Sequence, residues 1–225
     1  DVRRLNKFYH PWFFRHVQKK RSEMIRDPRV CSEVIPLEDY LFRHDRGSFW
    51  MASYKIPSFV GRTMGFALTS RRMFRLASAL PQVFNKREIM LQDFMLPFSQ
   101  VTSFVEVLDS YLGVWPLWFC PLRDVEGPHP IFGVPESDEN YCNIGVYGIP
   151  RKTDFDFEGD NIFMEEQLIE RGGRKVHYAH SFYPMELFYG DLYDGNLYAM
   201  LREKYNADGA FPHVYEKIIT TDGKL

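Results

Sequence analysis

The stretch 88–113, EIMLQDFMLPFSQVTSFVEVLDSYLG, carries two hydrophobic periods in succession. EIMLQDFML reads as a strand that Pro97 ends, since proline cannot continue the ladder. From Ser99, which can cap, the apolar Val101, Phe104, Val105, Leu108 and Leu112 fall at helical spacing, and Gly113 is the stop.

Working outward, VWPLWFCPL (114–122) reads as a strand bulky on both faces, and its two prolines predict an edge or a bulge. A Pro- and Gly-rich loop runs to about Glu139, and YCNIGVYGI (141–149) is the next strand. Residues 157–171 are predicted helical, with Phe163, Met164, Leu168 and Ile169 inward and Gly172-Gly173 as the stop. KVHYAHSF (175–182) is the expected fourth strand. The order is β-α-β-β-α-β, so the fold class is α+β: a ferredoxin-like antiparallel sheet with helices on one face. The other face is left free to cover something.

Residues 88–182 are the expected sheet unit. Residues 1–87 form an aromatic, helical N-terminal extension, and 183–225 a C-terminal tail with short helices at about 184–190 and 194–204. In the extension, Pro11 precedes a helix, a short helix runs from Leu37 toward Arg46, and Ser70 is expected to cap a helix ending before Pro81. The state of 56–69 is ambiguous.

Aromatic content is 16%, which suits a lipid-like or flat ligand or a ring-rich core. The net charge of −2 hides an asymmetry. From Arg46 to Arg87 there is no Asp or Glu, whereas acids dominate from Glu136 to Glu170. The basic stretch can face phosphates, a membrane surface or a partner, or be a solvated basic face. It lacks the dense Lys/Arg pattern of a nucleic-acid binder, so no nucleic-acid partner is expected. Cys31, Cys120 and Cys142 show neither metal nor disulfide spacing, which points to a reducing compartment. No apolar run approaches the roughly 20 residues of a spanning helix. The chain begins at Asp1 and reads as a piece of a longer protein. No dinucleotide, P-loop, zinc-protease or nucleophile-elbow motif occurs.

Two clusters carry candidate chemistry. On a regular strand His177 and His180 point to opposite faces and cannot share a metal, so none is expected. Tyr178 and His180 share a face and can form an acid–base pair; packing of Tyr178 in the sheet is the alternative. FRHDRGSFW (42–50) sets Arg43, His44 and Arg46 beside Trp50, as a wall for an anion or hydroxyl or as a solvated turn. Of Gln92 and Asp93, alternation sends one to the free sheet face. Trp118 and Cys120 share a face of the second strand, and Tyr147 lies on the third.

YHPWFFRHV, RHDRGSFW, QDFMLP, VWPLWFCP, GVYG and LREKYNADGAFPHVYEKI resemble, in this order, the C-terminal half of the Δ24-sterol reductases. These are FAD-linked proteins of the vanillyl-alcohol oxidase type, with an N-terminal FAD-binding domain and a ferredoxin-like substrate, or cap, domain. The resemblance runs from about Asn6 to Ile218. It implies that NADPH reduces FAD and that the reduced flavin delivers a hydride to the side-chain double bond of a sterol, with a protein acid supplying the proton. It makes Tyr178 the first choice for that acid, with His180 and His44 as alternative donors or tuners. Relatives carry an acid where His180 stands. It also implies that Arg43, Arg46, Gln92 and Asp93 contact the cofactor, and that Trp50, Trp118, Cys120 and Tyr147 line the sterol. The expected partners are the sterol, an FAD-binding domain that these residues do not include, and an anionic membrane surface met by 46–87, with packing of 46–87 against that domain as the rival reading. The expected setting is the cytosolic face of the endoplasmic reticulum. Without the phosphate-cradling half, the chain is expected not to hold FAD by itself. A flavin-linked oxidase of another hydrophobic or alcohol substrate, and a non-catalytic lipid- or protein-binding module, are the alternatives.

Overall fold

The computed structural model describes residues 4–5, 10–27, 32–46, 49–64, 69–79, 86–123, 131–135 and 137–219. The chain divides into two compact units, 1–85 and 86–225, each described by itself.

The first unit is helical. α1 (Phe13–Arg26) follows Pro11 and Trp12 and buries His16, whose Nε2 lies 2.6 Å from Glu33. α2 (Leu37–Leu41) is shorter than its predicted span, and α3 (Ser58–Thr63) resolves part of the ambiguous stretch. α4 (Ser70–Ala79) starts with Thr69, whose hydroxyl accepts from the Arg72 N–H at 3.4 Å. Ser70 is therefore not the cap: its hydroxyl donates to the His44 carbonyl at 3.1 Å. Trp12, Ala52 and Met73 form a small core. Within the basic stretch Phe59 and Met64 are exposed. Phe66 and the side chains of Arg62 and Phe74 lie outside the described residues. Among the described residues no helix is long and apolar enough to cross a membrane.

The second unit carries the sheet. Its elements are β1 (Met90–Pro97), α5 (Val101–Val107, continuing as a wider turn through Leu108–Leu112), β2 (Leu117–Leu122), β3 (Tyr141–Gly148), α6 (Phe157–Ile169) and β4 (Arg174–Lys175). The four strands lie in the order β2-β3-β1-β4, and every neighbouring pair is antiparallel. The β-α-β-β-α-β order expected from periodicity is thus observed. β2 sits at an edge, where Pro121 costs no central ladder bond.

Register decides the faces. Met90, Phe94 and Leu96 of β1, with Ile144 and Val146 of β3, meet Phe104, Leu108 and Leu112 of α5 and Met164 and Leu168 of α6 in one core. The rings of Phe94 and Phe104 pack edge to face at 5.2 Å. Each such side chain contributes about 1.5–3 kcal/mol on burial, so this layer dominates the unit's stability. Gly113 closes α5 with φ +63°, in the left-handed region. Asp156 opens α6 by accepting from the Gly159 N–H at 3.1 Å. Ser99, by contrast, does not cap α5, because its N–H and hydroxyl are both turned to Glu139, at 3.0 and 2.9 Å.

The fourth strand is shorter than predicted. β4 covers only Arg174 and Lys175; one further backbone bond, from Val176 N–H to the Asp93 carbonyl at 3.1 Å, prolongs it before the chain turns at His177 and Tyr178. Buried side chains impose the turn. The Lys175 ammonium, 1% exposed, pairs with Glu165 at 2.5 Å and also donates to the His180 carbonyl. Gln92 reaches the same carbonyl at 3.1 Å, and Glu165 accepts from the Phe182 N–H at 3.1 Å. These bonds draw the chain off the ladder.

α7 (Met185–Leu187, running on through Phe188–Leu192), α8 (Gly195–Lys204) and α9 (Val214–Ile218) complete the unit. They form a second core of Tyr183, Phe188, Leu192, Tyr193 and Ile218, against which Phe132 and Ile169 pack. The C-terminal segment therefore belongs to the sheet unit.

Candidate functional site

The face of the sheet opposite α5 and α6 carries an unusual polar cluster. Asp93 is paired with Gly145, which is paired in turn with Trp118 on β2. Alternation therefore places Asp93, Asn143, Tyr147, Trp118 and Cys120 together on this second face. Gln92 takes the other side: it is buried, and its amide donates to Asn161 at 2.6 Å on α6. That geometry removes Gln92 from the second face and gives it a structural part.

Asp93 is 3% exposed. The Tyr147 hydroxyl donates to Asp93 Oδ2 at 2.8 Å, the Asn143 amide donates to Oδ1, and the Tyr178 hydroxyl donates to Oδ2. Gly145 makes the Tyr147 contact possible. A Cβ there would sit 2.5 Å from the Tyr147 hydroxyl, so the ring leans over the glycine to reach across the strands. Tyr178 arrives from the turn after β4, where its N–H bonds to the Val176 carbonyl at 3.0 Å. It is 57% exposed, so its phenol links a buried carboxyl to the surface. Trp118 and Cys120 are partly exposed on the same sheet face.

The electrostatics follow from burial. Desolvation raises the Asp93 carboxyl above the ordinary carboxylate range, opposed by the hydrogen bonds of Asn143 and Tyr147. Burial, then the neighbouring Asp93 charge, pushes the Tyr147 phenol well above its ordinary value.

The histidines have other surroundings. His177 is ringed by Phe132, Phe188 and Tyr193 at centroid distances of 5.5, 5.2 and 4.7 Å. Burial, reinforced by Lys175 and Arg174, lowers it to about 4, so it packs as a neutral ring and anchors the turn that presents Tyr178. The His180 ring lies edge-on to Phe157 at 5.3 Å. The partner given to Tyr178 is thus Asp93, 85 residues away, rather than its neighbour in sequence.

The remaining candidates lie in the first unit. Arg46 donates to the main-chain carbonyls of Leu5 and His10 at 2.8 and 3.1 Å, tethering the N-terminal segment. Arg43 donates to the Tyr40 carbonyl at 2.6 Å, with its guanidinium 3.9 Å from the Tyr40 ring centroid. His44 stacks on Phe49 at 4.4 Å with Phe13 edge-on at 5.3 Å, and burial, then Arg43, lowers it to about 4. At neutral pH it is an uncharged imidazole. Trp50 is buried, with its ring edge-on to Phe49 at 5.9 Å.

Chemically, the second face offers a phenol that can give a proton at the surface, a buried carboxyl behind it, and aromatic faces alongside. Asn143 and Gly145 were not singled out from sequence. The motif GVYG held the signal, because a glycine two residues before a tyrosine on one strand face leaves room for the ring to lean back.

No family model and no solved structure matches the chain. Among curated proteins it is similar to the Delta(24)-sterol reductase of Homo sapiens, 28% identical over 221 residues, covering 95% of this chain and 42% of that protein. The Delta(24)-sterol reductase of Arabidopsis thaliana is 28% identical over 235 residues, covering 93% and 40%. The Delta(24)-sterol reductase homolog dhcr-24 of Caenorhabditis elegans is 25% identical over 223 residues, covering 96% and 42%. The chain therefore spans about two fifths of the length of the curated relatives it matches.

Proposed function

We propose that this chain, similar over nearly its whole length to Delta(24)-sterol reductases, is the substrate-capping part of an FAD-dependent oxidoreductase. In this reading the enzyme reduces the side-chain C24 double bond of a sterol, with NADPH as the electron source. The observation that carries it is the Asp93–Tyr147–Tyr178 cluster, set among Trp118 and Cys120 on the sheet face that α5 and α6 leave free.

The donor set suits the ring end of the cofactor. Phenols, a carboxamide and an indole fit an uncharged planar ring and an apolar side chain, and the cluster of Asp93, Asn143, Tyr147, Tyr178, Trp118 and Cys120 contains no cation to meet a phosphate. Trp118 and Tyr147 would lie against that ring and the sterol tail. When bound, the reduced flavin supplies a hydride. The chain's own residues do the rest. Tyr178 Oη gives its proton to the less substituted alkene carbon, which leaves positive charge on the tertiary carbon. The faces of Trp118 and Tyr147 stabilise that charge by roughly 0.5–2 kcal/mol each.

The test is to express the chain together with its FAD-binding domain, supply FAD, NADPH and desmosterol, and follow the product by mass spectrometry. The expected result is gain of two hydrogens across the C24 double bond, one of them from solvent. Oxidation of an alcohol substrate with no alkene reduction would favour a flavin-linked oxidase instead. Sterol binding without any turnover would favour a binding module.

A further inference from the structure

Among the described residues the sheet unit buries three carboxyl groups, Asp93, Asp160 and Glu165, and two of them have a cation. Asp160, 2% exposed, has the Lys152 ammonium at 2.5 Å. Glu165 is 3% exposed and has the Lys175 ammonium at 2.5 Å. Asp93 is also 3% exposed, and the partners the structure gives it are a carboxamide and two phenols, all neutral. Among the described residues no Lys, Arg or His forms an ion pair with Asp93. A carboxylate withdrawn from water without a cation is costly, and a bound proton relieves that cost directly.

The hydrogen-bond inventory allows this. Asn143 can only donate through its Nδ2, so it fixes Oδ1 as an acceptor. The phenols of Tyr147 and Tyr178 can donate or accept. Asp93 can therefore carry its proton on Oδ2 and donate to Tyr178 Oη, while Oδ1 accepts from Asn143 and from Tyr147, which lies 3.0 Å from it. The groups that face the carboxyl are Asn143 and Tyr147 from β3 and Tyr178 from the turn, and Cys120 of β2 acts on Tyr147.

We infer that Asp93 holds a proton at neutral pH and acts through Tyr178 as the proton store of the site. This rests on the reductase reading. The step balances. As the alkene π pair forms a C–H bond, the Tyr178 O–H bond breaks. The Asp93 O–H bond breaks in concert and a new O–H forms on Tyr178. The phenol is thus left intact, the carboxylate forms on Asp93, and the carbon's positive charge is met by the hydride. Exposed Tyr178 then returns a solvent proton to Asp93 before the next cycle.

Difference infrared spectroscopy on the full chain, without sterol or flavin, reads the store directly. At neutral pH a protonated-carboxyl C=O band should be present, shift in deuterium oxide and vanish in Asp93→Asn. In Tyr178→Phe and Tyr147→Phe the band should persist at a changed frequency, and these two variants carry the assignment if Asp93→Asn fails to fold. Absence of a protonated-carboxyl band that responds to either Tyr variant would overturn the inference. Because no substrate is involved, that failure would leave the reductase reading standing. Absence of sterol turnover with the band present would sink the reductase reading instead.

Discussion

In the proposed reductase, with the FAD-binding domain present, replacing Tyr178 by Phe should lower sterol turnover by about 10²–10⁴-fold, the usual cost of losing a positioned general acid. The ring and its packing remain, and only the hydroxyl that bonds to Asp93 is lost. The loss should appear equally in kcat and kcat/KM, because the proton is transferred only in the transition state. Reduction of the flavin by NADPH should be near normal, since that half-reaction uses no proton from Tyr178. Stopped-flow absorbance separates the two half-reactions. Turnover within about threefold of the parent would remove Tyr178 from the acid role, since a merely packed phenol is worth little in rate.

Lys175→Met should destabilise the chain by about 3–5 kcal/mol in urea unfolding at neutral pH. The methionine fills much of the same volume but leaves Glu165 buried without its cation. Burial already presses Lys175 and Glu165 toward their neutral forms, and their mutual contact opposes it. Removing one partner therefore exposes the full desolvation cost of the other. The double variant Lys175→Met/Glu165→Gln should recover most of the loss, because the glutamine still accepts from the Phe182 N–H and no charge remains buried. A single-variant loss below about 1 kcal/mol, the size of a surface pair, would show that the pair does not hold the turn after β4.

These two predictions rest on features that were unequally legible in sequence. The elements of the sheet unit were legible because each is a local period: Val101, Phe104, Leu108 and Leu112 recur at helical spacing, and they do line the core. The end of β4 was not legible. It is set by Lys175 meeting Glu165, ten residues away, and by Gln92 reaching His180, 88 residues away, and no local pattern reports such bonds. The site divides the same way. Alternation showed that one of Gln92 and Asp93 had to face away from the helices, but only register against β3 shows that it is Asp93. Pairing Tyr178 with His180 assumed a regular strand; the turn instead carries the phenol onto Asp93.

In the proposed cap the sterol side chain lies over the second sheet face, and Cys120 reports on that position. Its thiol is partly exposed on the face that carries Asp93 and Tyr147, while Cys142 on β3 is buried and serves as an internal reference. The measurement is the rate of Cys120 alkylation, read by peptide mass spectrometry, with and without a C24-unsaturated sterol at a concentration shown independently to saturate binding. Strong protection of Cys120, with Cys142 unmodified throughout, is the predicted result. An unchanged Cys120 rate with sterol fully bound would place the substrate elsewhere and contradict the account.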